Sequence, residues 1–241
     1  MKQSQFSDKV IIITGASSGI GEACAFEFAA NGAKVVLAAR NAEKLKSIET
    51  KIVEKGGVAR AVVADVRKVE DCQNLISKTV EEFGKIDILI NNAGISMRAK
   101  FEDVEIAVIK ELMDTNFFST VYCTKFALPY ILKQKGSVIG ISSIAGFAPM
   151  PGRTGYCASK SAMNGFLNAL RLENIKNKLH VMVVCPGFTS TNIRFTALDK
   201  DGAPQKDSPR DEAKMMTSEK VAQHIAKALL KCPGQAVPSI W

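Results

Sequence analysis

The sequence predicts an α/β fold in which a doubly wound parallel sheet of six or seven strands carries helices on both faces. Short apolar runs alternate with longer amphipathic segments along the chain, which is the order expected when each parallel strand returns through a helix. No Pro/Gly/Ser-rich linker or low-complexity tract interrupts this order. With 241 residues, 46% of them hydrophobic, the chain can bury a sizeable core, and we predict one domain over residues 1–241.

The first strand is predicted at 9–14 from Val10-Ile11-Ile12-Ile13, an apolar β-branched run typical of a strand buried on both faces. Similar runs predict the remaining strands at 34–39, 59–64, 86–91, 136–142 and 179–185. The segments between them predict helices at 19–31, 42–55, 68–83, 103–133 (in two pieces) and 155–176, and a last helix at 218–231. The chain after residue 231 contains two prolines, so a seventh strand over 235–241 is expected to be a short edge strand or absent.

A glycine-rich turn joins the first strand to the first helix, with the sequence Thr14-Gly15-Ala16-Ser17-Ser18-Gly19-Ile20-Gly21. Free N–H groups and the helix dipole attract an anion at such a turn, and the glycines let the main chain approach it closely. The spacing is G-x-x-x-G-x-G rather than the commoner G-x-G-x-x-G. The strand, turn and helix together predict a dinucleotide pyrophosphate site, contacted by Gly15, Ser17, Ser18, Gly19 and Ile20.

Tyr156 and Lys160 stand four positions apart, so their side chains share one face of the predicted helix. An ammonium beside a phenol favours the phenolate, so we expect the pKa of Tyr156 to be lowered from about 10 towards neutrality. Ser143 can donate a hydrogen bond to the same substrate oxygen. This combination suits the interconversion of a carbonyl and an alcohol, with Tyr156 as acid/base and with Ser143 and Tyr156 binding the substrate.

The candidate residues also share a position relative to the predicted strands. Ligands of open parallel sheets bind at the carboxyl ends of the strands. One candidate follows each strand in turn, in the order Gly15, Arg40, Asp65, Asn92, Ser143 and Pro186. The strand predictions and the site predictions therefore support each other.

Arg40 predicts which dinucleotide is bound. An NAD site places Asp or Glu about 20 residues past the glycine turn, where it accepts a hydrogen bond from the ribose 2′-OH. Here the second strand ends in Arg40-Asn41 with no acid. A guanidinium binds a 2′-phosphate through charge-assisted hydrogen bonds, and Ser17 can add a hydroxyl. We therefore predict NADP(H), with Arg40 and Asn41 beside the adenosine ribose.

The sequence resembles the short-chain dehydrogenases/reductases over roughly residues 8–231. The motifs that carry the resemblance, in family order and spacing, are Thr14-Gly15-x-x-x-Gly19-x-Gly21, Asn91-Asn92-Ala93-Gly94, Asn116, Ser143, Tyr156-x-x-x-Lys160 and Pro186-Gly187. The resemblance implies a Rossmann-type fold and hydride transfer between NADP(H) and a small carbonyl or alcohol. Its hydroxysteroid-dehydrogenase-like and carbonyl-reductase branches are the most similar.

The resemblance implies further roles in binding the adenosine half of the cofactor. Asp65 matches the acidic residue that bonds the adenine amino group, although it could instead cap the next helix, and Val66 follows it. Asn92, Ala93 and Gly94 match the segment beside the adenosine ribose. Asn91, which precedes them, is expected to tie adjacent strands together.

Residues around the nicotinamide are implied in the same way. The asparagine that matches Asn116 kinks a helix in the family and holds a water that passes protons to Lys160. Pro186 and Gly187 match the segment that closes over the nicotinamide, and Thr189 and Thr191 match threonines that bond its carboxamide or a phosphate. Asn116, Ser143, Tyr156 and Lys160 thus form the expected catalytic set, and 188–217 the substrate loop.

The expected function is NADP(H)-dependent oxidation and reduction of alcohols and carbonyls, and two alternatives remain. Relatives with the same motifs reduce 3-oxoacyl groups on a carrier protein. A protein of another class would bind NADP as a sensor or scaffold without turnover, although it would have no need for all four catalytic residues. Relatives pair the helices predicted at 103–133 and 155–176 into dimers or tetramers. We expect a homodimer or homotetramer, formed through apolar side chains that include Phe117, Phe118, Tyr122, Phe126, Phe166 and Leu170.

Composition excludes several other classes of protein. The net charge is +8, but basic and acidic residues are interspersed and no block of five like charges occurs, so nucleic-acid binding is not predicted. No apolar stretch reaches the ~18 residues of a membrane span, and the polar N-terminus lacks the apolar core of a signal peptide. His180 and His224 are isolated, so no metal site is predicted. Six cysteines without a C-x-x-C pair indicate reduced thiols and a cytoplasmic protein.

Overall fold

The computed structural model describes residues 6–208, 211 and 214–231. Six parallel strands form one sheet in the order β3-β2-β1-β4-β5-β6. The strands are β1 (Val10–Thr14), β2 (Lys34–Ala39), β3 (Val58–Val63), β4 (Ile88–Asn91), β5 (Ser137–Ile141) and β6 (His180–Val184). This confirms the predicted doubly wound sheet. The seventh strand considered for 235–241 lies outside the described residues.

Seven α-helices connect and flank these strands within the described part of the chain. They are α1 (Gly19–Ala30), α2 (Ala42–Glu54), α3 (Val69–Phe83), α4 (Ile106–Met113), α5 (Ser119–Lys133), α6 (Thr154–Glu173) and α7 (Ser218–Lys231). Their ends lie within three residues of the predicted boundaries, except that no boundary was predicted where the segment 103–133 divides into α4 and α5. None of the helices in the described ranges is long and apolar enough to cross a membrane.

Two apolar cores cover the two faces of the sheet. On one face, α1, α2 and α7 bury side chains such as Phe28, Leu45 and Ile225 against the strands. On the other face, α3, α5 and α6 bury side chains such as Leu75 and Leu167. Because helices cover both faces, the central strands are apolar on both sides, and all five residues of β1 are buried.

The order in which successive strands are added to the sheet reverses between β1 and β4: β2 and β3 lie on one side of β1, and β4, β5 and β6 lie on the other. β1 pairs in parallel with β2 on one side and with β4 on the other. The connections leaving these two strands therefore diverge at their carboxyl ends and open a crevice. Ligands bind at this switch point in doubly wound sheets, so the fold directs attention to the turns that follow β1, β4 and β5.

The long helix predicted at 103–133 is interrupted, as expected, at Asn116. A π-helical segment, Asp114–Phe118, separates α4 from α5. Pro129 lies inside α5 without ending it. π-helical insertions are frequent at functional sites because they aim a side chain or a carbonyl out of the regular ladder.

The substrate loop predicted at 188–217, here called the lid, folds back over the carboxyl ends of the strands. A β-bridge joins Met97 to Leu198, and another joins Thr189 to Met216. The Nε2 of Gln205 donates to the carbonyl of Arg98 at 2.6 Å. The described part of the lid is therefore fastened to the turn after β4.

The structure corrects one residue of the apolar surface expected to mediate assembly. Leu170 is only 6% exposed and packs in the core beneath α6. Phe118 is partly exposed. Leu172 near the end of α6 and Ile175 just beyond it add further exposed apolar surface. Homodimer or homotetramer formation stays a prediction.

Candidate active site

The glycine turn after β1 has backbone conformations that favour glycine. Gly15 and Gly19 have φ angles of +64° and +57°, in the left-handed region that other residues rarely adopt. A Cβ atom on Gly15 would lie 2.8 Å from the Cα of Ala93, and one on Gly21 would lie 2.4 Å from the carbonyl oxygen of Gly15. The turn is thus tightly packed against the segment after β4, and Ser17 and Ser18 lead into the N-terminus of α1.

Asn92 joins the ends of β1 and β4, a role that was expected of its neighbour Asn91. Its Nδ2 donates to the carbonyls of Thr14 at 2.9 Å and Gly15 at 3.2 Å. In return, the Thr14 hydroxyl accepts from the backbone N–H groups of Asn92 at 3.0 Å and Ala93 at 3.1 Å. The Asn91 side chain instead donates to Thr124 of α5 at 3.2 Å. The expectation for Asn91 was therefore wrong by one residue.

Ser143, Tyr156 and Lys160 come together beyond the end of β5. Ser143 precedes a short 3₁₀ turn, Ile144–Gly146, and its Oγ accepts from the N–H of Ala145 at 3.1 Å. The Ser143 and Tyr156 side chains lie close enough to interact. The Lys160 Nζ lies 5.9 Å from the centre of the Tyr156 ring and donates to the carbonyl of Ile141 at 2.8 Å. Tyr156 and Lys160 are both buried.

Burial dominates the electrostatics of this pair. It raises the pKa of Tyr156, against the opposing effects of the Ser143 hydrogen bond and the Arg153 charge. Burial also lowers the pKa of Lys160 to about 8. The predicted lowering of the Tyr156 pKa was therefore wrong for this structure. The i, i+4 spacing does bring Lys160 near the ring, but the ammonium donates to a backbone carbonyl and both groups are removed from water.

Asn116 is fully buried in the π-helical segment, and its amide is engaged on both sides. Its Oδ1 accepts from the N–H of Ile95 at 2.8 Å. Its Nδ2 donates to the carbonyl of Ile95 at 3.0 Å and to the hydroxyl of Ser159 at 2.9 Å. Since Ile95 follows Gly94 and Ser159 precedes Lys160, Asn116 connects the segment after β4 to the helix that carries the tyrosine and the lysine.

The residues predicted for the adenosine half lie at the ends of β2 and β3. Arg40 is exposed, and Asn41 caps α2 by accepting from the N–H of Lys44 at 2.8 Å. Asp65 forms an ion pair with Arg67 at 2.6 Å, and this hydrogen-bonded guanidinium lowers the pKa of Asp65. Asp65 therefore does not cap the next helix with its carboxylate.

Val66 and Asp71 fix the turn that follows β3. Val66 is buried next to Asp65. The carboxylate of Asp71 in α3 accepts from the N–H of Asp65 at 2.8 Å. The turn after β3 is thus fixed from both sides, and it presents the Asp65 carboxylate beside the charge of Arg40.

The residues predicted for the nicotinamide half lie in the segment that follows β6. A Cβ atom on Gly187, which follows Pro186, would meet nothing within 4 Å, so open space lies beside it. The Thr189 hydroxyl donates to the carbonyl of Gly187 at 3.1 Å. Thr191 reaches over the glycine turn, because a Cβ atom on Gly19 would lie 3.2 Å from the Thr191 methyl carbon.

A cleft of about 820 Å³ begins at the outer side of the glycine turn. It is lined by Ser17, Ser18 and Gly19 from the turn, by Lys44 from α2, and by Thr191 from the lid. Ser143 and Tyr156 do not line this cleft. The cleft therefore adjoins the glycine turn and the lid, and most of its remaining lining comes from α1, α2 and α7.

Three residues of the site were not expected from the sequence. Thr14 and Ser159 receive the hydrogen bonds of Asn92 and Asn116, and Arg153 lies close enough to Tyr156 for their charges to interact. Thr14 could have been found as the only polar residue of its strand, and Ser159 as a small polar residue in the turn between Tyr156 and Lys160. Across the described ranges, no group of His, Cys, Asp or Glu could hold a metal ion.

The strand order, the glycine turn at the switch point and the Ser143–Tyr156–Lys160 group define a Rossmann-type fold with a candidate site for acid–base chemistry. A family model described as short chain dehydrogenase matches residues 9–201. The chain belongs to this family, and its relatives indicate the hydroxysteroid-dehydrogenase-like branch.

Two curated relatives illustrate this branch. The 11-beta-hydroxysteroid dehydrogenase-like 2 protein of Arabidopsis thaliana is 42% identical over 187 residues, which are 77% of this chain and 60% of that protein. The 11-beta-hydroxysteroid dehydrogenase A of Sesamum indicum is 35% identical over 240 residues, 97% of this chain and 69% of that protein. The chain thus spans about 60% of the length of the Arabidopsis relative.

Solved structures share the fold along nearly the whole chain. A dehydrogenase/reductase from Sinorhizobium meliloti 1021 has a TM-score of 0.85 and 30% identity, covering 99% of this chain and 96% of that one. An alcohol dehydrogenase from Thermococcus sibiricus, complexed with 5-hydroxy-NADP, has a TM-score of 0.85 and 24% identity, covering 96% and 94%. At that identity the second likeness shows the fold alone.

Proposed function

We propose that this chain is an NADP(H)-dependent oxidoreductase that interconverts a ketone or aldehyde and the corresponding alcohol, with Tyr156 as the acid/base. One observation carries the proposal. The side chains of Ser143 and Tyr156 lie close enough to interact beyond the carboxyl end of β5, and the Lys160 Nζ lies 5.9 Å from the centre of the Tyr156 ring. Two hydroxyls that converge on one point are suited to binding a single carbonyl or alkoxide oxygen.

The residues around the switch point fit a dinucleotide. The close packing at Gly15 and Gly21 and the cleft beside Ser17, Ser18 and Gly19 support a pyrophosphate at the N-terminus of α1. We assign the adenosine half to Arg40, Asn41, Asp65, Val66 and Asn92-Ala93-Gly94. The nicotinamide half would be held by Tyr156, Lys160, Pro186, Gly187, Thr189 and Thr191. When bound, the nicotinamide supplies or accepts the hydride.

The chain's own residues supply orientation and the proton. Ser143 and Tyr156 bind the substrate oxygen, and in reduction the Tyr156 hydroxyl gives it a proton. Because burial raises the pKa of Tyr156, the phenol is protonated at neutral pH and is ready to act as an acid. A protonated Lys160 then stabilises the phenolate that forms.

Asn116 supports this arrangement as a positioning residue. Its amide hydrogens are both donated, one to the carbonyl of Ile95 and one to Ser159. A water that restores the proton through Lys160 would therefore have to use the oxygens of Asn116 as acceptors. We therefore propose that Asn116 helps to return the proton only by accepting a hydrogen bond from that water.

A carbonyl screen tests the proposed function. Purified protein is mixed with NADPH and a panel of ketones and aldehydes that includes steroid ketones, aromatic ketones and 3-oxoacyl thioesters, and NADPH consumption is followed by absorbance. Consumption with free ketones supports the proposal, whereas consumption with 3-oxoacyl thioesters alone supports the carrier-protein reductase alternative. NADPH binding without consumption across the panel would favour the non-catalytic sensor or scaffold.

The choice of cofactor depends on the charge of Arg40. The 2′-phosphate of NADP carries close to two negative charges, and an exposed guanidinium at the end of β2 can bind it through charge-assisted hydrogen bonds. We expect a preference for NADP over NAD of about 10- to 100-fold. Arg40→Asp should invert the preference, because a carboxylate repels the phosphate and accepts from a 2′-OH. Arg40→Ala should only erase it.

Titration of both cofactors at fixed, moderate salt measures these effects. Arg60→Ala is a matched control, because Arg60 is another partly exposed arginine but is paired with Glu82 at 2.5 Å. It should leave the preference unchanged. A parent protein that binds NAD as tightly as NADP would show that Arg40 is a surface residue without a role in cofactor choice.

The compartment is also proposed rather than established. The five cysteines within the described residues are free thiols, and four of them are buried. Free thiols in this number fit a reducing compartment, so we assign the protein to the cytoplasm.

A further inference from the structure

The turn after β5 is fastened to α6 through one carbonyl group. The carbonyl oxygen of Gly146 accepts a hydrogen bond from the Ser161 Oγ at 3.0 Å and another from the Asn164 Nδ2 at 3.3 Å. Asn164 lies four positions after Lys160 and eight after Tyr156, so these three side chains share one face of α6. The helix that carries the tyrosine and the lysine therefore also holds this turn.

Gly146 connects this attachment to Ser143. The N–H of Gly146 donates to the carbonyl of Ser143 at 3.0 Å, and the N–H of Ala145 donates to the Ser143 Oγ at 3.1 Å. Ala145 is buried in the same apolar group as Tyr156. The backbone and the hydroxyl of Ser143 are thus positioned by a short turn whose far end is bound to α6.

A second hydrogen bond joins α6 to the chain on the other side of Ser143. The Lys160 Nζ donates to the carbonyl of Ile141 at 2.8 Å. Ile141 is two residues before Ser143, and Gly146 is three residues after it. Since α6 holds the chain at both points, the position of Ser143 relative to this helix depends on both contacts.

The contact between Gly146 and α6 leaves no room for a side chain on the turn. A Cβ atom on Gly146 would lie 2.6 Å from the Asn164 Nδ2 and 3.2 Å from the backbone carbonyl carbon of Lys160. Non-bonded carbon atoms are normally about 3.5–4.0 Å apart. Because the turn lies this close to the helix, a change in the Asn164 side chain would displace the turn as well.

Asn164 contributes more to this attachment than Ser161, because the two residues differ in burial. Ser161 is exposed, so water can take the place of its hydroxyl. Asn164 is only 4% exposed, so water cannot readily replace its amide as a donor to the Gly146 carbonyl. The Oδ1 of Asn164 is buried without a hydrogen-bond partner among the described residues. An apolar residue would avoid that cost, so what the amide contributes here is its donated hydrogen bond.

We propose that Asn164 is a positioning residue for the reaction, because it holds the Gly146 carbonyl and thereby keeps the Ser143 hydroxyl where it can bind the same substrate oxygen as Tyr156. This proposal rests on the proposed function, since it takes Ser143 and Tyr156 as the groups that bind that oxygen. Asn164 itself contacts neither substrate nor cofactor. Its effect on turnover should therefore pass through Ser143 and disappear when the Ser143 hydroxyl is absent.

A double-mutant cycle between Asn164→Leu and Ser143→Ala tests this route. Removing one donor to a developing oxyanion costs about 10²–10³-fold in turnover, so Ser143→Ala sets the largest loss that Asn164 can cause. We expect Asn164→Leu alone to lower kcat/KM for an active ketone by about 10- to 100-fold. In protein that already carries Ser143→Ala, the same substitution should lower it by no more than about threefold. Asn164→Gln, which keeps an amide donor, should recover part of the activity.

Hydrogen exchange supplies a measurement that does not depend on turnover. The N–H groups of Ala145 and Gly146 are bonded to Ser143. Asn164→Leu should speed the exchange of these two amides by about fivefold or more, while the amides of β5 exchange as in the parent. NADPH binding at the affinity of the parent shows that the variant is folded.

Asn174→Leu is the matched control. Asn174 is another buried asparagine, at the end of α6, and its Nδ2 donates to the carbonyl of Leu170 at 3.0 Å. It lies ten positions after Asn164, which is about 15 Å along a helix. This substitution should leave kcat/KM and the exchange of the turn after β5 unchanged.

Three results would overturn the proposal. They are a kcat/KM for Asn164→Leu within threefold of the parent, a loss as large in the Ser143→Ala protein as in the parent, and unchanged exchange at Ala145 and Gly146. If the parent consumed NADPH with no ketone, the proposed function itself would be overturned. Faster exchange of the turn in Asn164→Leu would then still support the hold of Asn164 on Ser143, and unchanged exchange would contradict that as well.

Discussion

Tyr156→Phe is expected to lower turnover by about 10²–10⁴-fold while NADPH affinity stays within a few-fold of the parent. The magnitude is that of a missing general acid. The substitution removes one hydroxyl from a buried ring and leaves the ring's packing with Met97 and Leu112 in place. The phenol is expected to serve the chemistry more than the binding of the cofactor, so the two measurements should separate. Steady-state kinetics with an active ketone and a fluorescence titration of NADPH provide them.

Tyr130→Phe is a matched control for this experiment. Tyr130 lies in α5 with its ring beside Lys133, so its hydroxyl can be removed without touching the site. Its turnover should equal that of the parent. If Tyr156→Phe retained turnover within tenfold of the parent, Tyr156 would not be the acid/base, and the proximity of Ser143 and Tyr156 would have only a structural meaning.

The sequence was sufficient to predict the sheet and to place the candidate residues at the carboxyl ends of its strands, for physical reasons that differ between elements. β1 could be predicted because a strand buried on both faces needs an unbroken apolar run such as Val10-Ile11-Ile12-Ile13. The ends of the strands then located Arg40 and Asn92 at the same edge, since parallel strands bring their carboxyl ends together. The strands can be predicted from short apolar runs, and their parallel order then fixes which residues share an edge of the sheet.

The contacts within the site could not be predicted, because they depend on atoms brought together from distant segments. The choice between Asn91 and Asn92 as the residue that joins β4 to β1 depends on a one-residue alternation in direction that the strand end decides. The hydrogen bonds of Asn116 to Ile95 and Ser159 depend likewise on how segments far apart in the chain are brought together. The lid's own course follows from contacts of this kind rather than from any periodic pattern.

The spacing of Tyr156 and Lys160 in the sequence also could not predict the direction in which the pKa of Tyr156 is shifted. The interval of four residues places Lys160 on the same helix face, but it says nothing of how deeply the two groups are buried. In the structure, burial acts against the charged form of both. The lysine therefore carries a cost in stability, and this cost can be measured.

Lys160→Met is expected to abolish turnover and, at the same time, to stabilise the protein without cofactor at pH 7. The pKa of Lys160 is lowered from 10.5 to about 8 by burial, so keeping its charge in the folded state costs roughly 3 kcal/mol at about 1.4 kcal/mol per pKa unit. Methionine has a similar length and no charge. Losing the hydrogen bond from Nζ to the carbonyl of Ile141 offsets about 1 kcal/mol of the gain. A net increase of about 1–3 kcal/mol in the free energy of unfolding is expected.

The dependence of this gain on pH distinguishes it from a general effect of hydrophobic substitution. Below pH 8 the lysine is protonated in both the folded and the unfolded state, so the parent bears the full penalty. Between about 8 and 10.5 the unfolded state binds more protons, so the stability of the parent rises with pH and the advantage of Lys160→Met shrinks. Urea unfolding of both proteins at pH 7 and near pH 10 measures this, with Lys78→Met, on an exposed position of α3, as the control.

A parent as stable as Lys160→Met at pH 7, or an advantage that does not fall with pH, would show that Lys160 is not held at a cost. A buried lysine that destabilises the fold is understandable only if its charge is used, and the substitution that relieves the cost should remove the activity with it.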